Sequence, residues 1–89
     1  MPTVHLIIQG RVQGVFYRAS AKQLAKEIGV TGWVKNTDEG DVEIVAAGTE
    51  EQLRKLVEWC KVGPTHAKVK EVVIEYLEEK SFKDFEIRR

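Results

Sequence analysis

The residues best suited to chemistry in this chain form one short run and one distant partner. The run is Gly10-Arg11-Val12-Gln13-Gly14-Val15-Phe16-Tyr17-Arg18, and the partner is Asn36. A glycine-bearing loop that feeds a helix presents converging amide N–H groups, and the helix dipole there favours negative charge. The helix expected from about Phe16 is preceded by no Ser, Thr, Asp or Asn. Its first amides therefore lack a side-chain cap. Arg18 falls in its first turn, where a cation opposes the dipole. An oxyanion lying between the amides and the guanidinium would relieve both problems. The arginine fork also suits a phosphate, to which it makes two parallel hydrogen bonds. Asn36 carries both a donor and an acceptor on one amide, so it can hold a water molecule in line with a leaving group. Taken singly, each feature has an ordinary reading: a tight connection, a solvated side chain, a turn former.

What gives them joint meaning is the set of elements that must position them. Val4, Leu6 and Ile8 alternate with less apolar neighbours and read as a first strand, ending at Gln9-Gly10, with a loop over Gly10–Gly14. Ala21, Leu24, Ala25 and Ile28 have helical spacing, and Gly29 is placed as the C-cap. Trp33 to Thr37 reads as a second strand, Asp38–Asp41 as a turn, and Val42, Ile44 and Ala46 as a third strand. Thr49 and Gln52 have capping-box spacing ahead of a second helix bearing Leu53, Leu56, Val57 and Cys60 on one face. Gly63-Pro64 stops it, Val69 to Leu77 alternates again, and Phe85 and Ile87 mark a short last strand.

The expected fold class is therefore α+β, a ferredoxin-like βαββαβ sandwich over residues 1–89 as a single domain. It has an antiparallel sheet, two helices on one face and a short extra C-terminal strand. In that topology strands one and two run parallel with strand three between them, so their carboxyl ends meet at one sheet edge. The glycine loop and Asn36 are brought together by topology alone.

Composition removes several other classes. The 89 residues carry 14 basic and 14 acidic side chains, so there is no basic excess of the kind nucleic-acid binding shows. No apolar run approaches a membrane span, and Val4–Ile8, interrupted by His5, is too short for a signal-peptide core. The expected compartment is the cytoplasm. One cysteine, Cys60, permits no internal disulfide and no thiolate cluster, and it reads as a core residue. His5 and His66 lack a nearby acid or a second ligand at metal spacing, so both read as structural. Phe16, Tyr17, Trp33, Trp59, Phe82 and Phe85 read as packing residues.

Gly10 to Arg18 resembles the phosphate-loop signature of the acylphosphatase family, G-R-V-Q-G-V-x-[FY]-R. Gly32-Trp33-Val34-Lys35-Asn36, followed by Gly40, Val42 and Gly48, is similar to the family's second signature, and Phe85-Glu86-Ile87-Arg88 to its F-x-I-R ending. The resemblance spans nearly the whole chain. It implies hydrolysis of acyl phosphates, with Arg18 binding phosphate and Asn36 positioning water. It places a cradle of backbone amides on Arg11, Val12, Gln13, Gly14, Val15 and Phe16. It implies no metal and no cofactor, a small-molecule acyl phosphate as partner, and inorganic phosphate or sulfate as a competing anion. A monomer is expected, with no nucleic-acid or membrane partner. Phe16 stands where many members of the family carry glycine; the expectation is an ordinary backbone there, with the side chain turned from the phosphate. Two rival readings are a non-enzymatic module, for instance one binding RNA, and an acyl-phosphate carrier. The first would show stacking aromatics on the third strand, and Val42–Ala46 has none.

Overall fold

Alternation along the first strand decides where the core lies. Val4, Leu6 and Ile8 are buried, and Ile44 and Val42 on the neighbouring strand sit beside Leu6 and Ile8 in register. The computed structural model covers residues 1–89 and contains β1 (Thr3–Arg11), α1 (Tyr17–Ile28), β2 (Thr31–Asn36), β3 (Val42–Ala47), α2 (Glu50–Cys60), β4 (Lys68–Leu77) and β5 (Phe85–Arg88). The strand order is β4-β1-β3-β2-β5. The first four strands pair antiparallel, and β5 adds to β2 in parallel. Both helices contribute to the same core: Ala21 and Ala25 from α1 and Leu53, Leu56 and Cys60 from α2 pack with the strand residues.

The ends of the elements follow their local chemistry. Gly29 closes α1 at φ 85°, a left-handed conformation glycine adopts without a Cβ penalty, and the Val30 amide folds back onto Ala25 O at 2.9 Å. At the start of α2, Thr49 Oγ1 accepts from the Gln52 amide at 3.1 Å, and Gln52 Oε1 accepts from the Thr49 amide at 2.8 Å. That is a complete capping box.

The expected loop over Gly10–Gly14 begins later than the glycine suggests. β1 runs on through Arg11, with a register shift between Gln9 and Gly10 as it pairs with β4. Gly10 makes this possible. At φ 127° a Cβ there would lie 2.2 Å from Lys68 O, so only a glycine lets the two backbones close up. His5 also differs from expectation: its Nε2 lies 2.6 Å from Glu43 Oε2, a carboxylate on the adjacent strand that is distant in sequence.

Tyr17 is a core residue with a polar handle. Its hydroxyl donates to Cys60 O at 2.8 Å, which ties α1 to the end of α2. Burial raises the Tyr17 phenol, with the neighbouring Cys60 adding to the rise. Burial pushes the Cys60 thiol up to about 12, against a smaller opposing pull from the Tyr17 hydroxyl. In the unfolded chain both groups ionise at their ordinary values, so above roughly pH 9 the unfolded state loses protons that the folded state keeps. Their stabilisation is complete below that pH and is lost as pH rises from about 9 toward 12. Urea unfolding at a series of pH values should show a midpoint that falls through this window, and the fall should shrink in Tyr17→Phe.

Candidate active site

The first turn of α1 has no help from side chains. Phe16 is its N-cap, no side-chain hydrogen bond caps it, and no acidic residue lies in the first turn. Ser20 is the first residue whose amide finds a helical acceptor, Phe16 O at 3.1 Å. The amides from Val12 to Ala19 have no acceptor within the protein. The contrast with α2 and its full capping box is a matter of construction, since both helices are of similar length.

The loop backbone gathers these amides. Gly14 has φ 73° and Phe16 φ 63°, and Val15 between them does not have a positive φ. Alternation of this kind turns successive N–H groups toward one concavity, a nest that suits an anion. Phe16 therefore corrects the expectation of an ordinary backbone: with ψ 24° it is fully left-handed, and it is the one non-glycine residue of the chain with positive φ. A Cβ in this region costs about 1–2 kcal/mol, and such strain gathers at functional sites. The ring is 81% exposed and stands at the rim of the concavity, so packing returns little. Phe16→Gly should raise stability by about 0.5–1 kcal/mol, the strain relieved less the entropy of a freer unfolded chain. For a chain this size that is a rise of about 2–8 °C in Tm by thermal circular dichroism.

The concavity is the inner wall of an open cleft of about 410 Å³, lined by Val12, Gly14, Phe16, Arg18, Asn36 and Arg89 among others. Arg18 and Asn36, far apart in sequence, thus face one space. Of the six predicted cradle residues, Val12, Gly14 and Phe16 line this cleft; Arg11 and Val15 line an adjoining recess. Gln13 lines neither and has a different task. Its Nε2 donates to Thr37 O at 2.9 Å and to Asp41 O at 2.8 Å. Thr37 follows Asn36 directly, so this single carboxamide pins the loop to the β2–β3 hairpin and fixes the spacing between the amides and Asn36. The hairpin is itself closed by the Thr37 amide on Asp41 O at 2.9 Å and by the Asp41 amide on Thr37 Oγ1 at 3.1 Å.

Sequence reasoning missed three contributors. The sequence assigns Gln13 its backbone amide alone; its side chain acts on two hairpin carbonyls that no local pattern announces. Ile87 and Arg89, at the end of the chain, also line the cleft because β5 pairs in parallel with β2. Arg88 points to the other side, with its guanidinium carbon 5.1 Å from the Trp33 ring centre.

Fold and cleft together define a class: a ferredoxin-like α+β sandwich with an uncapped helix start, a guanidinium and a carboxamide at the carboxyl edge of its two inner parallel-running strands. Comparison with known proteins makes the assignment specific. The family model described as acylphosphatase matches residues 4–87. An acylphosphatase of Marinobacter nauticus is 55% identical over 73 residues, 82% of this chain and 79% of its own. The solved acylphosphatase of Coxiella burnetii superposes with a TM-score of 0.94 at 41% identity, covering 98% of this chain and 92% of the other. The crystal structure of acylphosphatase from Bacillus subtilis gives 0.96 at 36% identity over 100% of both chains. The chain belongs to the acylphosphatase family, and its substrates are small-molecule acyl phosphates.

Proposed function

We propose that the amides of the Arg11–Phe16 loop and the first turn of α1, with Arg18, bind the phosphoryl group, and that Asn36 positions the attacking water. The observation that carries this reading is the unbroken run of partnerless amides from Val12 to Ala19, bent inward by Gly14 and Phe16, with Arg18 and Asn36 in the same cleft.

The chemistry follows from what these groups supply. The phosphoryl oxygens gain charge stabilisation from the nest, from the helix dipole and from the guanidinium fork. The Asn36 carboxamide accepts a hydrogen bond from a water molecule and holds its oxygen in line with phosphorus. As the water oxygen bonds to phosphorus, the bond from phosphorus to the acyl oxygen breaks, and a carboxylate leaves with the electron pair. Carboxylate is a weak base and needs no proton to depart. The proton lost by water passes to a phosphate oxygen, so the substrate serves as its own base. Catalysis is then mainly positioning and electrostatics. The positive charge that other phosphoryl-transfer sites draw from metal ions is here supplied by Arg18 and the amides, so the reaction proceeds without a metal.

Steady-state hydrolysis of benzoyl phosphate tests this directly. Turnover is expected to persist in excess chelator and to be inhibited competitively by inorganic phosphate or sulfate. Loss of activity in chelator that returns on adding a divalent cation would overturn the metal-free scheme. We also infer that the chain works as a monomer in the cytoplasm. None of its helices is long and apolar enough to cross a membrane.

A further inference from the structure

We propose that the recess on the far side of Phe16 from Arg18 is a subsite for a second anionic group carried on the acyl portion of the substrate. His66 and Lys68 determine this specificity, with Arg11 beside them. The proposal rests on the in-line mechanism above.

The recess has a volume of about 410 Å³ and shares Gly14 and Phe16 with the catalytic cleft, so the exposed Phe16 ring is the wall between the two. Arg11, His66 and Lys68 line it, and no carboxylate does. None of these side chains takes part in an ion pair anywhere in the molecule. The concentration is local, because the chain as a whole has a formal net charge of zero. The two cations of the recess are also held against their own repulsion. Arg11 and Lys68 are cross-strand partners at the end of the β1–β4 ladder. Like charges directly opposite on antiparallel strands destabilise the pair. An anion seated beside them would turn that repulsion into shared attraction.

Reaction geometry selects this side of the cleft. In-line displacement sends the leaving carboxylate away from the attacking water, and so away from Asn36. The surface continuing past Asn36 mixes Asp38, Glu39 and Glu43 with Lys35 and Arg89, so its carboxylates outnumber its cations and favour an anionic tail less than the recess does. The recess beyond Phe16 does not include Asn36 and is lined by Arg11, Lys68 and His66, with no carboxylate. An acyl group leaving in line passes over Phe16 toward it. Carboxylate and phosphate share the chemistry these side chains would recognise.

The test compares benzoyl phosphate with 4-carboxybenzoyl and 4-phosphonobenzoyl phosphate, which keep the reacting centre and add an anion at the far end. The selectivity, kcat/KM for each charged substrate over that for benzoyl phosphate, is measured for the native enzyme and for the double variant His66→Gln, Lys68→Gln. Both side chains are exposed, and turnover of benzoyl phosphate by the variant shows that it is folded. We expect at least one charged substrate to be preferred by the native enzyme and that preference to fall about tenfold in the variant, as the loss of a screened charge contact at Lys68 and of the neighbouring imidazole contact allows. The arm that shows the larger preference identifies the group as carboxylate or phosphate. Equal selectivity in native and variant enzyme would overturn the subsite while leaving the hydrolase mechanism standing. Absence of turnover with all three substrates would instead remove the mechanism, and the subsite with it.

Discussion

Arg18→Ala is expected to lower kcat/KM for benzoyl phosphate by about 10²–10³-fold, the effect of removing one preorganised donor from developing charge. The same change should leave the protein at least as stable. Arg18 sits in the first turn of an uncapped helix with no acidic residue to offset it. Removing a cation from that end relieves about 0.3–1 kcal/mol of unfavourable dipole interaction. A fall in activity with an unchanged or higher Tm is the signature of a residue kept for function at some cost to the fold. Arg18→Lys should be nearly as inactive, because an ammonium is a point charge and cannot reproduce the planar fork. The Ki for inorganic phosphate should rise with the loss of activity in both variants. A fall in Tm that tracks the lost activity would mean that Arg18 serves the fold.

Asn36→Ala should produce a loss of comparable size in a different parameter. If the carboxamide holds water and not phosphate, kcat falls by about 10²-fold while the phosphate Ki stays within about twofold. The fold should tolerate the change, since Asn36 is the last residue of β2 and its ladder pairing with Val42 involves only the backbone. The two variants together separate the roles: Arg18 moves both phosphate affinity and turnover, Asn36 only turnover. If Asn36→Ala weakened phosphate binding as much as Arg18→Ala, the water-holding role would fail.

Much of this site could be read before the fold was known, and the reason is topological. Once β1 and β2 are parallel with β3 between them, the ends of both strands share an edge, and a loop leaving one must face the residue ending the other. The missing cap of α1 was equally legible, because capping depends on residue type at one position and Phe16 cannot supply an oxygen. The conformation of Phe16 was not legible. Nothing local favours a left-handed phenylalanine; its neighbours impose it. Gln13 is clamped to the hairpin on one side, and Tyr17 is locked into the core on the other through its bond to Cys60 O. Gly63 completes that lock, since a Cβ there would come within 2.8 Å of the Tyr17 ring. The residue between two fixed points takes the dihedral angles that are left. Gln13 escaped for a related reason: its side chain acts across the sheet edge, on carbonyls whose position depends on how the β2–β3 hairpin turns. Arg89 reaches the cleft only because β5 adds in parallel, a pairing that a four-residue strand does not announce.

The central claim is that the amino end of α1 grips the phosphoryl group. Amide chemical shifts followed by NMR during titration with inorganic phosphate measure this most directly, using α2 as an internal control because its first turn is capped by its own Thr49. The account predicts saturable shifts concentrated on Gly14 through Arg18, with a Kd equal to the inhibition constant of phosphate and little response at Glu50–Leu53. Shifts spread evenly over the lysines and arginines of the surface, or a first turn of α1 that does not respond at inhibitory phosphate concentrations, would contradict it.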